Sequence, residues 1–372
     1  MKMKRVLSIL VVLMIVIGLA ACDANVGSGG GTSSGGGTTP PPSSTGTTPP
    51  PPPSSGGGTA PIGDPVVLKL AHNQAPQSIS GAQYQLFADT VAEKSGGNIT
   101  IEVFPSGTLV SDADTLNAVM DGVVDMVHLL ASFASGTVKD MSPLEMFGYY
   151  IGDDWLGFLD KSRPIVDKIY QPFNIKFLGS GYQGNLTFIC NERQITKPED
   201  MKGLTFRSAG TWYGKCIETF GGAATQLFLP ELPPAMERGT VNGTIVGWNV
   251  IFPLALYESA EYISATTAQT YYTNVMMNLD RFNGLTAEQQ AIIMDAALIF
   301  EKEGYRIGEE ILPVQRQKIV DSGKNTIIEL TDEQLGVFLD LVDPLYDQMD
   351  LTANGKDLVA LIKAEQKAWR KK

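Results

Sequence analysis

The sequence predicts an α/β fold built as two lobes, and three observations carry that prediction. Strand-like and helix-like segments alternate from residue 64 onward. Residues 64–372 make a stretch of about 309 residues, above the size at which a single core usually keeps growing. One helical segment runs from Ala287 to about Asp321, long enough to cross both lobes.

Val66 to Ala71 reads as a buried strand, and the amphipathic run Ala82 to Lys94 reads as a helix stopped by Ser95, Gly96 and Gly97. Asn98 to Phe104 alternates like a second strand. Leu109 to Asp121 is expected to be helical, and Val123 to Leu130 is strand-like again. That alternation argues a parallel sheet with helices on both faces. Further strands are expected at Ile175–Leu178, Leu186–Cys190, Leu204–Arg207 and Gly243–Val246. Thr196, Thr286 and Thr331 each precede Glu or Gln by three residues, the capping-box pattern of a helix start. The second of these opens the long helix, with a bend expected at Pro313.

Composition excludes several function classes. A hydrophobic content of 43% is enough to build cores. With 28 Lys+Arg against 40 Asp+Glu, the chain lacks the basic face that a phosphate backbone requires, so no nucleic-acid partner is expected. Two His and three scattered Cys leave no zinc-ligand spacing, and no metal or other cofactor is expected.

The N-terminus carries an address. Lys2, Lys4 and Arg5 precede an apolar run from Val6 to Leu19, which closes on Ala20, Ala21 and Cys22. Residues 1–21 are therefore expected to be a signal peptide, and Leu-Ala-Ala-Cys resembles the bacterial lipobox, in which Cys22 would be acylated. Two acyl chains suffice for stable anchoring. Asp23, directly after that Cys, resembles an inner-membrane retention signal of two-membrane bacteria. Loss of the signal removes three positive charges and takes the formal charge from −12 to −15. So acidic a chain is not drawn to an anionic bilayer, which leaves the lipid as the anchor. Residues 22–63 hold that Cys and a spacer of Gly, Ser, Thr and Pro blocks that cannot bury a core. As a coil the spacer would reach about 35 Å, and as extended polyproline about 125 Å.

From residue 66 to about residue 300, the order of motifs resembles the DctP-type solute-binding proteins of tripartite ATP-independent periplasmic (TRAP) transporters. Leu68 to Asn73 looks like the family's opening strand, and Gly97 to Leu109 is similar to its glycine, strand, Pro-x-Gly-x-Leu run. Val119 to Met126 fits the next element. Ile195 to Arg207 carries the most specific match, close to I-x-x-P-E-D-L-K-G-x-x-x-R, followed by Gly221-Gly222-Ala223, Glu231 before Ala235 to Gly239, and Met276 to Asn278. The resemblance implies a periplasmic-binding-protein-like fold whose two α/β lobes close about a hinge over an organic acid. Lobe I would comprise about 64–184 and 273–312, and lobe II about 185–272 and 313–372. It also implies a monomeric, non-enzymatic receptor outside the cytoplasm, at the periplasmic face or cell surface, whose partners are the transporter's membrane subunits.

Arg207 is the first candidate for ligand binding. It ends an alternating strand, where α/β proteins present ligand groups, and a guanidinium grips a carboxylate through two parallel hydrogen bonds. The resemblance gives this position the carboxylate clamp. Relatives with a second upstream Arg would place it at Leu186. Asn242 and Asn249 stand where the family carries acids, and Trp248 offers an apolar face. One Arg with several aromatics suits a monocarboxylate with an apolar or aromatic body better than a dicarboxylate. Further candidates are His72, Gln183, Trp212, Tyr213, Tyr272 and Glu231. Each has a structural alternative: His72 as a satisfied loop residue, Trp212 and Tyr213 as helix packing, Glu231 as a cap or hinge brace.

Gly179 to Gly184 satisfies G-x-G-x-x-G, yet β-like residues follow where a dinucleotide site needs a helix. No hydrolase, P-loop or metalloprotease motif occurs. Three glycosylation sequons, at Asn98, Asn185 and Asn242, carry little weight in a bacterial lipoprotein. Cys190 and Cys216 are open to a disulfide in an exported protein. Two other function classes stay in view: a lipoprotein that senses the same ligand for a signalling partner, and an exported hydrolase with paired carboxylates.

Overall fold

The structure is a computed structural model that describes residues 62–269 and 273–371. The expected signal peptide, Cys22, all but the end of the spacer, and Tyr272 lie outside the described residues.

Strand β1 (Val66–Ala71) buries Leu68 and Leu70 completely. Helix α1 (Ile79–Lys94) starts where Ser78 Oγ accepts the Gly81 N–H and stops before Gly96 and Gly97, both at positive φ. Strand β2 (Ile99–Phe104) follows. The expected helix from Leu109 shrinks to α2 (Thr115–Met120). Ser111 Oγ donates to Asp114 Oδ2 at 2.6 Å and Thr115 Oγ1 to the Ser111 carbonyl at 2.9 Å, so local side-chain bonds hold residues 109–114 as turns. Strand β3 (Met126–Leu130) begins later than expected, because Val123 is 71% exposed and the Asp125 carboxylate leaves the strand to accept from Lys69 N and Arg281 Nε. Helices α3 (Ala131–Ala134) and α4 (Trp155–Tyr170) precede β4 (Ile175–Gly181).

The chain then passes to a second sheet through β5 (Asn185–Cys190), β6 (Thr205–Ser208), α5 (Thr211–Thr219), β7 (Ala223–Gln226), α6 (Leu232–Glu237), β8 (Gly243–Gly247), α7 (Trp248–Ile251), α8 (Leu256–Ser259) and β9 (Tyr262–Gln269). It returns in β10 (Thr273–Asn278) and α9 (Leu279–Asn283), enters the long helix α10 (Ala287–Ser322), and ends with β11 (Thr326–Glu329), α11 (Asp332–Val342) and α12 (Ala353–Trp369). Sheet order is β2-β1-β3-β10-β4 in one lobe and β11-β9-β5-β8-β6-β7 in the other. Both sheets are mixed, not parallel. The strand that enters each lobe from the other runs against its neighbours: β10 is antiparallel to β3 and β4, and β5 to β8 and β9.

Capping boxes form at Thr286 with Gln289 and at Thr331 with Gln334. At Thr196 the expected helix is only a 3-10 turn over Pro198–Met201, and the capping carboxylate is Asp200 rather than Glu199. The glycine run 179–184 spans the end of β4 and the passage into β5, with no helix after it. Gly184 sits there at φ +77°, and a Cβ would come within 2.6 Å of Leu312, so glycine is required on both counts. Cys190 and Cys216 are separate buried thiols.

Helix α10 has 36 residues, about 54 Å of length. Its first half packs on α1, where Gln83 Nε2 donates to the Tyr182 and Gly304 carbonyls. A Cβ at Gly308 would overlap the Tyr182 ring, which fixes how closely the helix approaches the passage between sheets. Glu301, 3% exposed, anchors the helix to lobe I. Its carboxylate accepts from Arg163 and from Ser180 N, joining α4, β4 and α10. A buried pair broken from one side leaves an uncompensated charge. Glu301→Ala is therefore expected to lower unfolding free energy by about 3–5 kcal/mol in urea titrations; a loss below about 1 kcal/mol would show that the pair is not a structural anchor.

Candidate functional site

Between the two sheets lies a cleft lined by residues from both. Its polar wall comprises Asn73, Gln74, Gln183, Arg207 and Asn249, and its apolar wall includes Leu130, Phe133, Leu229 and Val250. Each polar group arrives at the end of an element. Asn73 and Gln74 follow β1, Gln183 lies between β4 and β5, Arg207 ends β6 with Ser208, and Asn249 opens α7 after β8.

Arg207 is 3% exposed, with Nε donating to the Leu227 carbonyl at 2.9 Å. The β6 strand that carries it pairs with β7 and β8. Asn242 pins the strand's start: Thr205 N donates to Asn242 Oδ1 at 2.8 Å, and Asn242 N donates to the Thr205 carbonyl at 2.7 Å. Asn242 is thus a brace, the role its amide can fill with donor and acceptor together. Asn249 N donates to the Gln183 carbonyl at 3.3 Å, and Asn249 Nδ2 lies 3.4 Å from Ser80 Oγ on α1. Phe133 and Phe228, one from each side of the cleft, have ring centroids 5.8 Å apart.

Arg207, Gln183 and Asn249 are brought together in the cleft wall. His72 stands one residue before that wall, with Nδ1 accepting from Gln74 N at 3.2 Å and its ring 4.6 Å from Tyr84. Burial lowers it to about 4, so it is neutral near pH 7. Tyr84 also bonds His128 Nδ1, and burial, with His72 adding to it, lowers His128 to about 3. The other candidates lie elsewhere. Trp248 is buried in the lobe II core, with Arg316 over its ring at 5.3 Å. Trp212 is half-buried, with Lys215 over its ring at 3.8 Å, and Tyr213 donates its hydroxyl to the Ile245 carbonyl. Glu231 is exposed and accepts from Phe228 N at 2.7 Å, capping a turn. Leu186 is buried in the core.

Three residues near the site escaped sequence reasoning. Asn73 and Gln74 adjoin the flagged His72, and only the end of β1 marked them. Glu145 had no local signal. It is 1% exposed, 62 positions before Arg207 in sequence, and accepts the Trp212 N–H at the start of α5. A Cβ at Gly210 would overlap its carboxylate, so glycine there admits it. Burial pushes Glu145 up to about 7, against hydrogen bonds from Ser135, Trp212 and Tyr213 that pull it down. No group of three or more His, Cys, Asp or Glu that could hold a metal converges among the described residues.

Residues 70–352 match the family described as bacterial extracellular solute-binding protein, family 7 (DctP). The ectoine/5-hydroxyectoine-binding periplasmic protein UehA of Ruegeria pomeroyi is 23% identical over 73% of this chain and 81% of its own. The C4-dicarboxylate-binding periplasmic protein DctP of Rhodobacter capsulatus is 24% identical over 82% of this chain and 92% of its own. Among solved structures, the periplasmic ectoine-binding protein of the TeaABC TRAP transporter of Halomonas elongata superposes with a TM-score of 0.74 at 21% identity, covering 82% of this chain and 100% of that one.

The Glu145 carboxyl generates a pH prediction. Its folded value lies above its ordinary 4.5, so protonation favours the folded state. The contribution of Glu145 to stability is then full below about pH 4.5 and is lost as pH rises through about 7. Between pH 5 and 8, urea unfolding should show the wild type losing on the order of 3 kcal/mol relative to Glu145→Gln. Parallel profiles for the two proteins would contradict it.

Proposed function

The chain belongs to bacterial extracellular solute-binding protein family 7, the DctP family, and from that premise we propose that it captures a small organic anion outside the cytoplasm and delivers it to a TRAP-type membrane transporter. It is a binding protein, not an enzyme. The observation that carries the ligand class is Arg207, a buried guanidinium in the wall of the cleft. A ligand carboxylate there accepts two parallel charge-assisted bonds, strengthened because the closed cleft excludes water. Gln183 and Asn249 add amide donors and acceptors, and Leu130, Phe133, Leu229 and Val250 cover the ligand's body.

The one guanidinium, with Leu186 in place of another, favours a monocarboxylate with an apolar or aromatic body. Relatives differ on this point: UehA is named for ectoine and the Rhodobacter protein for C4-dicarboxylates. Lobe I, about 64–184 and 273–312, closes on lobe II, about 185–272 and 313–372, in this reading. The N-terminal sequence supports a lipid on Cys22 and a spacer of residues 23–63 that lets a monomeric receptor reach its transporter from the membrane surface. The sensing alternative uses the same site and differs only in its partner.

Two outcomes are expected. Arg207→Ala should weaken calorimetric binding of any carboxylate ligand by about 30-fold or more, since removal of one partner of a buried charge pair costs about 2–5 kcal/mol. Unchanged affinity would remove Arg207 from the site. Monocarboxylates with apolar bodies should bind the wild type more tightly than succinate or malate; the reverse order would overturn the monocarboxylate assignment.

A further inference from the structure

Residues 227–231 follow β7 at the edge of the cleft, and their contacts run in three directions. Leu227 turns to the clamp. Its carbonyl accepts from Arg207 Nε at 2.9 Å, and its N–H donates to the Ser208 carbonyl at 3.3 Å, so it is tied to the end of β6 by both backbone groups. Phe228 turns to the other side of the cleft, where its ring meets that of Phe133 in α3 at 5.8 Å between centroids and 59° between planes. Phe133 and Leu229 line the cleft, and Phe228 is 39% exposed, so the ring pair stands at its mouth.

Glu231 holds this turn from outside. The residue is exposed, its Oε2 accepts the Phe228 N–H at 2.7 Å, and its own N–H donates to the Phe228 carbonyl at 3.1 Å. Pro230, between the two, fixes a further torsion. The Leu227 carbonyl and the Phe228 N–H are the two ends of one peptide group, which is planar and turns as a unit. Arg207 therefore holds one end of that plane and Glu231 the other. A guanidinium grips a carboxylate through two parallel bonds only when its own plane is fixed. Release of the Glu231 end frees the peptide to rotate, and the acceptor on the Nε edge of Arg207 rotates with it.

Resting on the carboxylate reading of Arg207, we propose that Glu231 is a positioning residue for that clamp. It orients Arg207 through the single peptide group between Leu227 and Phe228, and the same hold presents the Phe228 ring to Phe133 at the mouth of the cleft. Glu231 does this without touching the ligand.

Nitrogen NMR of arginine side chains in the full-length, ligand-free protein tests the proposal, with Arg207→Lys identifying the Arg207 Nε–H signal by its loss. Glu231→Ala should speed hydrogen exchange at that Nε–H about fivefold, as loss of a capping side chain does for the bond it holds. Glu231→Gln, which keeps an acceptor oxygen, should stay within about twofold of wild type. Amides of β1 should be unchanged in both. Phe228→Ala keeps the peptide and should leave the Arg207 signal in place, while it and Glu231→Ala each speed amide exchange across the cleft at residues 131–135 by about two- to tenfold. Four results overturn the proposal: an Arg207 signal indifferent to Glu231→Ala, equal loss in Glu231→Ala and Glu231→Gln, faster exchange throughout β1 as general destabilisation gives, or amide changes confined to residues 226–232. Carboxylate binding that survives Arg207→Ala defeats the reading beneath, whereas the Nε–H signal decides this inference without any ligand.

Discussion

A guanidinium placed in the wall between two lobes is the constraint around which this structure is organised. At 3% exposure Arg207 has given up nearly all contact with bulk water. Burial of that kind is tolerated only where oxygen atoms replace the lost hydration. The Leu227 carbonyl supplies one such atom. Holding the cation in register takes more of the fold than its own strand. Asn242 pins the start of β6, and Glu145 accepts from the first turn of α5, just past the strand's end.

The second demand is that two lobes keep a fixed relation while meeting at a cleft. Among the described residues, residues 182–184 and the length of α10 pass between the two sheets. The first leads from β4, which pairs with β10, to β5, which pairs with β9. Glu301 fastens the first half of that helix to lobe I through Arg163 and Ser180, and Trp248 with Arg316 lies along its second half in lobe II. Gly184 and Gly308 let the helix approach the passage at van der Waals distance.

Local signals in the sequence foretold much of this and missed what depends on distance along the chain. The strand alternation at Val66–Ala71, the capping boxes at Thr286 and Thr331 and the uninterrupted pattern of α10 are local and match the elements found. Strand direction is not local. The expected parallel sheet became two mixed sheets because β5 and β10 enter from the opposite lobe. The helix expected from Leu109 failed where Ser111, Asp114 and Thr115 satisfy each other's polar groups. In the cleft wall, Arg207 is marked in the sequence by its strand end and the family motif, Asn249 by the family motif, and Gln183 by its loop before Leu186. Asn73 and Gln74 were hidden behind a more conspicuous His72, and Glu145 could be found only once the fold brought residue 145 to residue 212.

The central claim is that Arg207 holds a negative charge supplied by the ligand. It is tested most directly by removing that charge from the ligand and leaving the protein untouched. For any carboxylate that binds the wild-type protein, calorimetry should be repeated with the corresponding primary amide, which keeps the shape and loses the charge. The account predicts that the amide binds about 100-fold or more weakly, because a buried guanidinium then lacks its ionic partner. Equal affinity for acid and amide would contradict it.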